Sequence, residues 1–225
     1  MARQRYWFTA DLHLGHRGIL SHSRRIKLGM NAQEIKMLAA DPTFRVSDTT
    51  LASHDSLILD AINRRVAPHD KLFILGDFCM CPANDYVDRA RRYRQRIVCE
   101  EVHLILGNHD RLGLAELFNS AETMKTLIVG PHRVVMCHYA MATWEHSHRG
   151  AWHLYGHSHG NAEQALNRLF PGRKSMDVGI DNIFRLTGEY RPLELREIRE
   201  ILDKRVGHSI DHHDLAGDRC SEFDE

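Results

Sequence analysis

Residues 6–16 read YWFTADLHLGH. The opening run Tyr6–Ala10 is apolar, of buried-strand length, and stops at a block of Asp, His and Gly. Inside that block Asp11 and His13 are two apart, so an extended segment presents both to one side. The same arrangement recurs along the chain. Residues 71–78 read KLFILGDF, 102–110 VHLILGNHD, 133–138 RVVMCH and 152–159 WHLYGHSH. Each couples a short apolar run to a polar cluster, which is Gly76-Asp77, Gly107-Asn108-His109-Asp110, His138 or Gly156-His157-Ser158-His159. Met176–Ile180 reads as one further strand, and Leu193–Ile198 is ambiguous between an edge strand and a helix start.

Helical spacing fills the intervals. Ser53–Val66 aligns Leu57, Ile58, Ala61 and Ile62, with Ser53 as its cap. Asn84–Val98 repeats Tyr86, Val87, Ala90, Tyr93 and Ile97 on one face. Leu114–Asn119 predicts a short helix. Strands alternating with helices indicate an α/β class. The long polar segment 17–51, broken by Gly29 and Asp41-Pro42 and helical near Gln33–Ala39, is expected to be a substrate-side insertion or lid. Residues 1–203 are expected to form one domain and 204–225 a polar, flexible tail.

With 225 residues, 30 Lys+Arg against 30 Asp+Glu and no apolar run of bilayer length, the composition excludes a membrane span and a global field that draws nucleic acid. Five scattered cysteines and an N-terminus without a secretory signal lead to the expectation of a cytoplasmic protein. Seventeen histidines, many beside Gly, Asp or Asn, point to metal chemistry or to a histidine-rich surface.

The polar clusters all fall at the C-terminal ends of predicted strands, where ligands gather in α/β sheets. Asp, Asn and His donors without thiolate suit Mn²⁺ first, and also Fe, Zn²⁺, Co²⁺ or Ni²⁺. Asp11, His13, Asp77, Asn108, His138, His157 and His159 are too many ligands for one ion and suit two that share a carboxylate. The glycines before Asp77, Asn108 and His157 let the backbone approach closely. His16 is read either as a phosphate contact or as a cap of the following turn. His146, His148 and His153 line either the cleft or a solvated loop, and His103 is a satisfied strand histidine. The arginines of 89–96 read as a solvated helix face, with a nucleic-acid backbone contact as the alternative. Cys79 and Cys81 read as small buried side chains, and Asp177 and Asp181 as turn residues that support the ligands.

The ordered set D-x-H, G-D, G-N-H-D, H and G-H-x-H, spanning Tyr6 to about Asp181, resembles the calcineurin-like metallophosphoesterase superfamily, in a compact bacterial or phage-type branch. No ligand position of that pattern is missing. The resemblance implies a four-layer α/β/β/α sandwich of two mixed sheets flanked by helices. It implies that Asp11, His13 and His159 hold one ion, that Asn108, His138 and His157 hold a second, and that Asp77 bridges them. It also implies that His109 is a general acid or charge stabiliser oriented by Asp110. Two cations about 3.5–4 Å apart would supply a hydroxide for in-line attack on a phosphate ester. The expected partner is a small phosphate ester. A nuclease of the same superfamily and a noncatalytic scaffold are the alternatives. The sequence leaves the substrate and the oligomeric state open.

Overall fold

The computed structural model describes residues 3–22, 25, 28–207 and 210. Its strands are β1 (Tyr6–Thr9), β2 (Lys71–Leu75), β3 (Glu101–Ile105), β4 (Ser120–Glu122), β5 (Met124–Val129), β6 (His132–Cys137), β7 (Trp152–Tyr155), β8 (Ser175–Asp177) and β9 (Leu193–Glu194). Its helices are α1 (Ile19–His22), α2 (Ala32–Ala40), α3 (Asp48–Asn63), α4 (Tyr86–Gln95), α5 (Glu163–Leu169), α6 (Ile180–Thr187) and α7 (Leu195–Leu202). The strands form two mixed sheets, β4-β3-β2-β1-β9 and β5-β6-β7-β8. In the first, β1 to β4 are parallel and β9 is antiparallel to β1. In the second, β6 to β8 are parallel and β5 is antiparallel to β6.

The near-continuous apolar strands are explained by burial on both faces. Phe8, Phe73, Leu75 and Ile105 point inward and pack with Val134, Met136, Trp152, Leu154 and Met176 of the second sheet. Trp7, Leu72, Ile74, Val102 and Leu104 point outward and meet Ile58, Leu59 and Ile62 of α3 and Tyr86 and Ala90 of α4. Each such buried aliphatic side chain contributes roughly 1.5–3 kcal/mol. The outer face of the second sheet is covered more thinly, by Trp144 and Ala151 on Val135 and by Glu163 of α5 bonded to the Tyr155 hydroxyl. The architecture is thus a two-sheet α/β sandwich flanked by helices, with an irregular segment doing part of the covering on one side.

Several boundaries differ from the sequence reading. Helix α3 starts at Asp48, and Ser47 is its cap, accepting the Thr50 N–H. Ser53 lies inside the helix. Segment 17–51 has its own small core of Ile19, Leu20, Met30 and Val46, tied by buried Glu34, which accepts from Thr50 Oγ1 and the Ser47 and Asn31 N–H groups. The Met176–Ile180 strand is shorter, because Asp177 accepts the Gly179 N–H and Ile180 opens α6. Leu193–Ile198 divides into β9 and the start of α7. At the expected tail, Arg205 donates to the carbonyls of Arg173 and Ser175, and Gly207 N–H bonds to Gly172 O. The rest of the tail, apart from residue 210, lies outside the described residues.

Candidate metal centre

The loops that leave β1, β2, β3, β6 and β7 converge at one end of the two sheets. Five of the residues there hold a left-handed backbone: Asp11 (φ 57°), His13 (φ 50°), Asp77 (φ 54°), His157 (φ 68°) and His159 (φ 49°). Such a conformation costs a non-glycine residue of order 1–3 kcal/mol and persists where surrounding structure enforces it, as in ligand clamps. Gly76, itself at φ 92°, is required for space as well, since a Cβ there would lie 2.1 Å from His138 Nδ1.

All seven predicted ligands are brought together, in two groups. Asp11, His13 and His159 place ligand atoms within 4.8 Å of one another, and so do Asp77, His138 and His157. Asn108 joins the second group, its Oδ1 lying 3.1 Å from His138 Nε2 and 3.0 Å from His157 Nδ1. Asp77 stands between the groups. Its Oδ2 is 3.5 Å from His13 Nε2 and 3.5 Å from His138 Nε2. Its Oδ1 accepts the His109 N–H at 3.0 Å.

The hydrogen bonds leave ring lone pairs aimed inward. His138 Nδ1 lies 2.8 Å from the Leu75 carbonyl, which assigns the proton to Nδ1 and turns Nε2 toward Asp77 and Asn108. His159 Nδ1 lies 2.6 Å from Asp181 Oδ2, with the same consequence for its Nε2. His13 Nε2 is buried and has no hydrogen-bond partner among the described residues. A buried polar atom without a partner is costly, and a cation in contact with it removes that cost. The donor set therefore fits divalent ions.

The same residues are strongly perturbed electrostatically. Burial and the nearby Asp177 carboxylate push Asp11 up to about 7. Burial and the Arg25 guanidinium push His13 down to about 2, so its imidazole is neutral. Burial opposes ionisation of Asp77, yet His138 and the His109 N–H hold it down to about 2. Burial lowers His138 in turn, and the Asp77 and Asp11 carboxylates outweigh it, holding His138 up to about 9. Packing this many unlike charges and neutral imidazoles together is characteristic of functional sites rather than of a core.

Residues outside the predicted set hold the groups in position. Arg25, fully buried, grips Asp181 with Nε and Nη2 and donates to the carbonyls of Asp11 and Leu12. Asp181 in turn fixes His159. Asp177 accepts from Ser158 Oγ, Gly160 N–H and Gly179 N–H, which fastens the G-H-x-H loop. Asp55 accepts from Gly15 N–H, Tyr93 Oη and His54 Nδ1. Asp177 and Asp181 meet the expectation of supporting residues. Arg25 and Asp55 carried no signal, since neither lies in a motif.

Other expectations are corrected or located. Asp110 does not reach the His109 ring. Its carboxylate accepts the N–H groups of Asp77, Phe78 and Gly107 at 2.8–3.0 Å, so it staples two ligand loops together. His109 presents its ring 5.3 Å from that of His13. His16 Nδ1 lies 3.3 Å from His13 Nδ1, at the rim of the centre. His153 is neither a cleft wall nor a loop residue. It is fully buried in β7 and bonded to Val135 O and Met141 N–H. His103 is satisfied by Ser120 and Glu101, as expected, and Cys79 and Cys81 are buried behind the Asp77 turn. On α4, Arg89 and Arg91 are paired with Asp85 and Asp88. Among the described residues no helix is long and apolar enough to cross a membrane.

No protein-family model matches the chain. An uncharacterized protein of Methanocaldococcus jannaschii, MJ1445, is 20% identical over 206 residues, covering 91% of this chain and 94% of that one. The solved structure of AQ665, a protein of unknown function from Aquifex aeolicus, superposes with a TM-score of 0.59 at 19% identity, over 88% of this chain and all of that one. Lower similarity is found to YfcE, a phosphoesterase from E. coli (TM-score 0.36, 16% identity, 69% of this chain and 70% of that one), and to the nuclease MPE from Pseudomonas putida (TM-score 0.39, 21% identity, 68% and 61%). The AQ665 match shows a shared fold.

Proposed function

We propose that the chain is a metal-dependent hydrolase of phosphate esters that works with two divalent ions, Mn²⁺ foremost. The observation that carries this reading is Asp77 Oδ2, equidistant from His13 Nε2 in one ligand group and His138 Nε2 in the other. Asp11, His13 and His159 would hold one ion and Asn108, His138 and His157 the other, with Asp77 shared. When bound, such ions supply Lewis acidity toward phosphoryl oxygens and a nucleophile drawn from water.

The chain's own residues supply the rest. The part-exposed His109 ring, beside His13, is able to reach a bound ester and protonate its departing oxygen, an effect of typically 10²–10⁴ in rate. Its main chain is anchored on both sides, by N–H to Asp77 and by its carbonyl to Tyr86 Oη at 3.0 Å. Asp110 keeps the Asp77 and Asn108 loops in register, and His16 closes one rim. The nuclease alternative would draw on the arginines of residues 89–96, of which Arg89 and Arg91 are met by carboxylates.

The test is hydrolysis of p-nitrophenyl phosphate with and without added Mn²⁺, together with metal content. Asp77→Asn should weaken the binding of both ions and reduce turnover on the order of 10²–10³-fold, the scale of removing one preorganised electrostatic group. Wild-type turnover in that variant, or in metal-stripped protein, ends the proposal.

A further inference from the structure

A cavity of about 420 Å³ opens beside the candidate centre, walled by residues 15–18 and Ser21 on one side and residues 42–45 on the other. Its size lies in the range of small-molecule sites, roughly 300–1,000 Å³. His16 is its boundary with the centre, 3.3 Å from His13 by Nδ1 and 6.2 Å from the His109 ring. A group that leaves the centre past His16 therefore enters this cavity.

The cavity wall mixes polar and apolar surface and carries positive charge. Arg17 is held in its wall by Asp48 and by the Val46 carbonyl. Asp48 is 92% exposed, so water screens that pair and Arg17 keeps donors for another anion. Arg45 is exposed and has no carboxylate partner among the described residues. Of the two acids nearest in sequence, Asp48 is paired with Arg17 and Asp41 is turned to Thr43, which donates to it through N–H and Oγ1. Phe44, half-buried in the small core of the segment, adds a flat apolar surface to the same wall. Guanidinium groups match phosphate oxygens in paired, charge-assisted hydrogen bonds.

We propose that this cavity receives the leaving group of the substrate and that Arg45, with Arg17, reads a second phosphate on it. The substrate class is then a compact phosphate ester bearing a second phosphate, of nucleoside bisphosphate type. This rests on the phosphoesterase reading above and narrows it. It also gives segment 17–51 its purpose, since both arginines and Phe44 come from it.

Two measurements test the inference. The first is steady-state hydrolysis with Mn²⁺ of adenosine 3′,5′-bisphosphate and of p-nitrophenyl phosphate, by wild type and by Arg45→Ala. The expected result is a KM for the bisphosphate raised about tenfold in the variant with kcat retained, so that its preference over p-nitrophenyl phosphate falls by the same factor. The second is calorimetric binding of the bisphosphate and of adenosine 5′-monophosphate to metal-free protein. Wild type should bind the bisphosphate more tightly, and Arg45→Ala should erase the difference. Hydrolysis of p-nitrophenyl phosphate without preference for the bisphosphate would overturn the cavity assignment and leave the phosphoesterase reading standing. No turnover of either ester would end that reading, while the metal-free binding still decides the cavity. Equal cleavage of a single-stranded oligonucleotide, insensitive to Arg45→Ala, would also overturn the inference.

Discussion

The two ligand groups are unequal. Asp11 and His13 are buried, and His159 is partly so, held by Asp181, which is itself clamped by fully buried Arg25. In the other group Asp77 and His138 are buried, but Asn108 and His157 are exposed, and His157 rests against the half-exposed Tyr139 ring at 4.7 Å. One half is braced from behind by charged scaffold. The other faces solvent through side chains that few neighbours restrain. A braced half is preorganised, so an ion there costs little reorganisation. An open half leaves room for a phosphoryl group to approach. The contrast predicts two sites of different affinity rather than a matched pair.

After Asp77→Asn, which removes the shared ligand, the sharpest way to break this comparison is to delete one histidine from each half. His159→Ala should lose its ion at every practical Mn²⁺ concentration, because the buried space it leaves is enclosed by Asp181 and Arg25. His157→Ala should regain its ion and much of its activity as Mn²⁺ is raised, since water can replace an exposed ligand. Metal content by mass spectrometry across a Mn²⁺ titration reads both. Identical titration curves would mean that burial does not rank the halves.

A smaller effect follows from Asp181→Asn. A carboxylate behind a ligating histidine is typically worth 10–100-fold in metal affinity or activity. Here the change also leaves Arg25 buried without its counter-ion, which costs of order 3–5 kcal/mol of stability. The double variant Arg25→Met/Asp181→Asn separates the two roles. Thermal unfolding should recover most of the stability, whereas metal affinity should remain low. Recovery of both would reduce Asp181 to a partner for Arg25.

What the sequence revealed follows the same division. The clustering of the candidate ligands was legible because each cluster follows an apolar run, and strand ends are where an α/β sheet gathers polar groups. β2 and β7 were read to the residue for the same reason, being largely apolar and bounded by glycine or a polar turn. The braces were not legible. Arg25 lies in a polar segment without periodicity, and its value comes from tertiary contacts, with the carbonyls of Asp11 and Leu12 and with Asp181, 156 positions away. β5 was missed because it is a half-solvated edge strand, with Met124, Thr126 and Ile128 turned outward. The Gly130-Pro131 turn into β6 was the available signal. Helix α3 was read short because its first turn, Asp48-Thr49-Thr50, is polar, although Ser47 followed by Asp48 is a start signal. Asp110 was assigned to the wrong partner because adjacency in sequence to His109 says nothing about where a carboxylate finds three converging N–H groups.

The smallest effect concerns acid, and it too should separate the halves. The segment that carries Tyr139 toward His157 is pinned to β7 by His153, whose Nε2 accepts the Met141 N–H at 3.2 Å while Nδ1 donates to Val135 O. Burial pushes His153 down to about 4, well below the ordinary histidine value. An unfolded chain takes up the proton near pH 6.5 and the folded one only near pH 4, so the stability this histidine contributes is present above 6.5 and is lost as pH falls through 4. The loss is at most about 3 kcal/mol. Protonation there sets Nε2–H against the Met141 N–H and leaves the Tyr139 carbonyl, at 3.2 Å, as the acceptor it turns to. On the braced side, burial opposes ionisation of Asp181, but Arg25 and His159 hold it down to about 2, so that brace persists until the pH falls through about 2. Proteolysis should therefore open residues 139–151 near pH 4 while the Arg25–Asp181 brace stays closed, and His153→Gln should remove the pH dependence of that cleavage. Cleavage that begins instead in segment 17–51 would mean that the open half is not the weaker one.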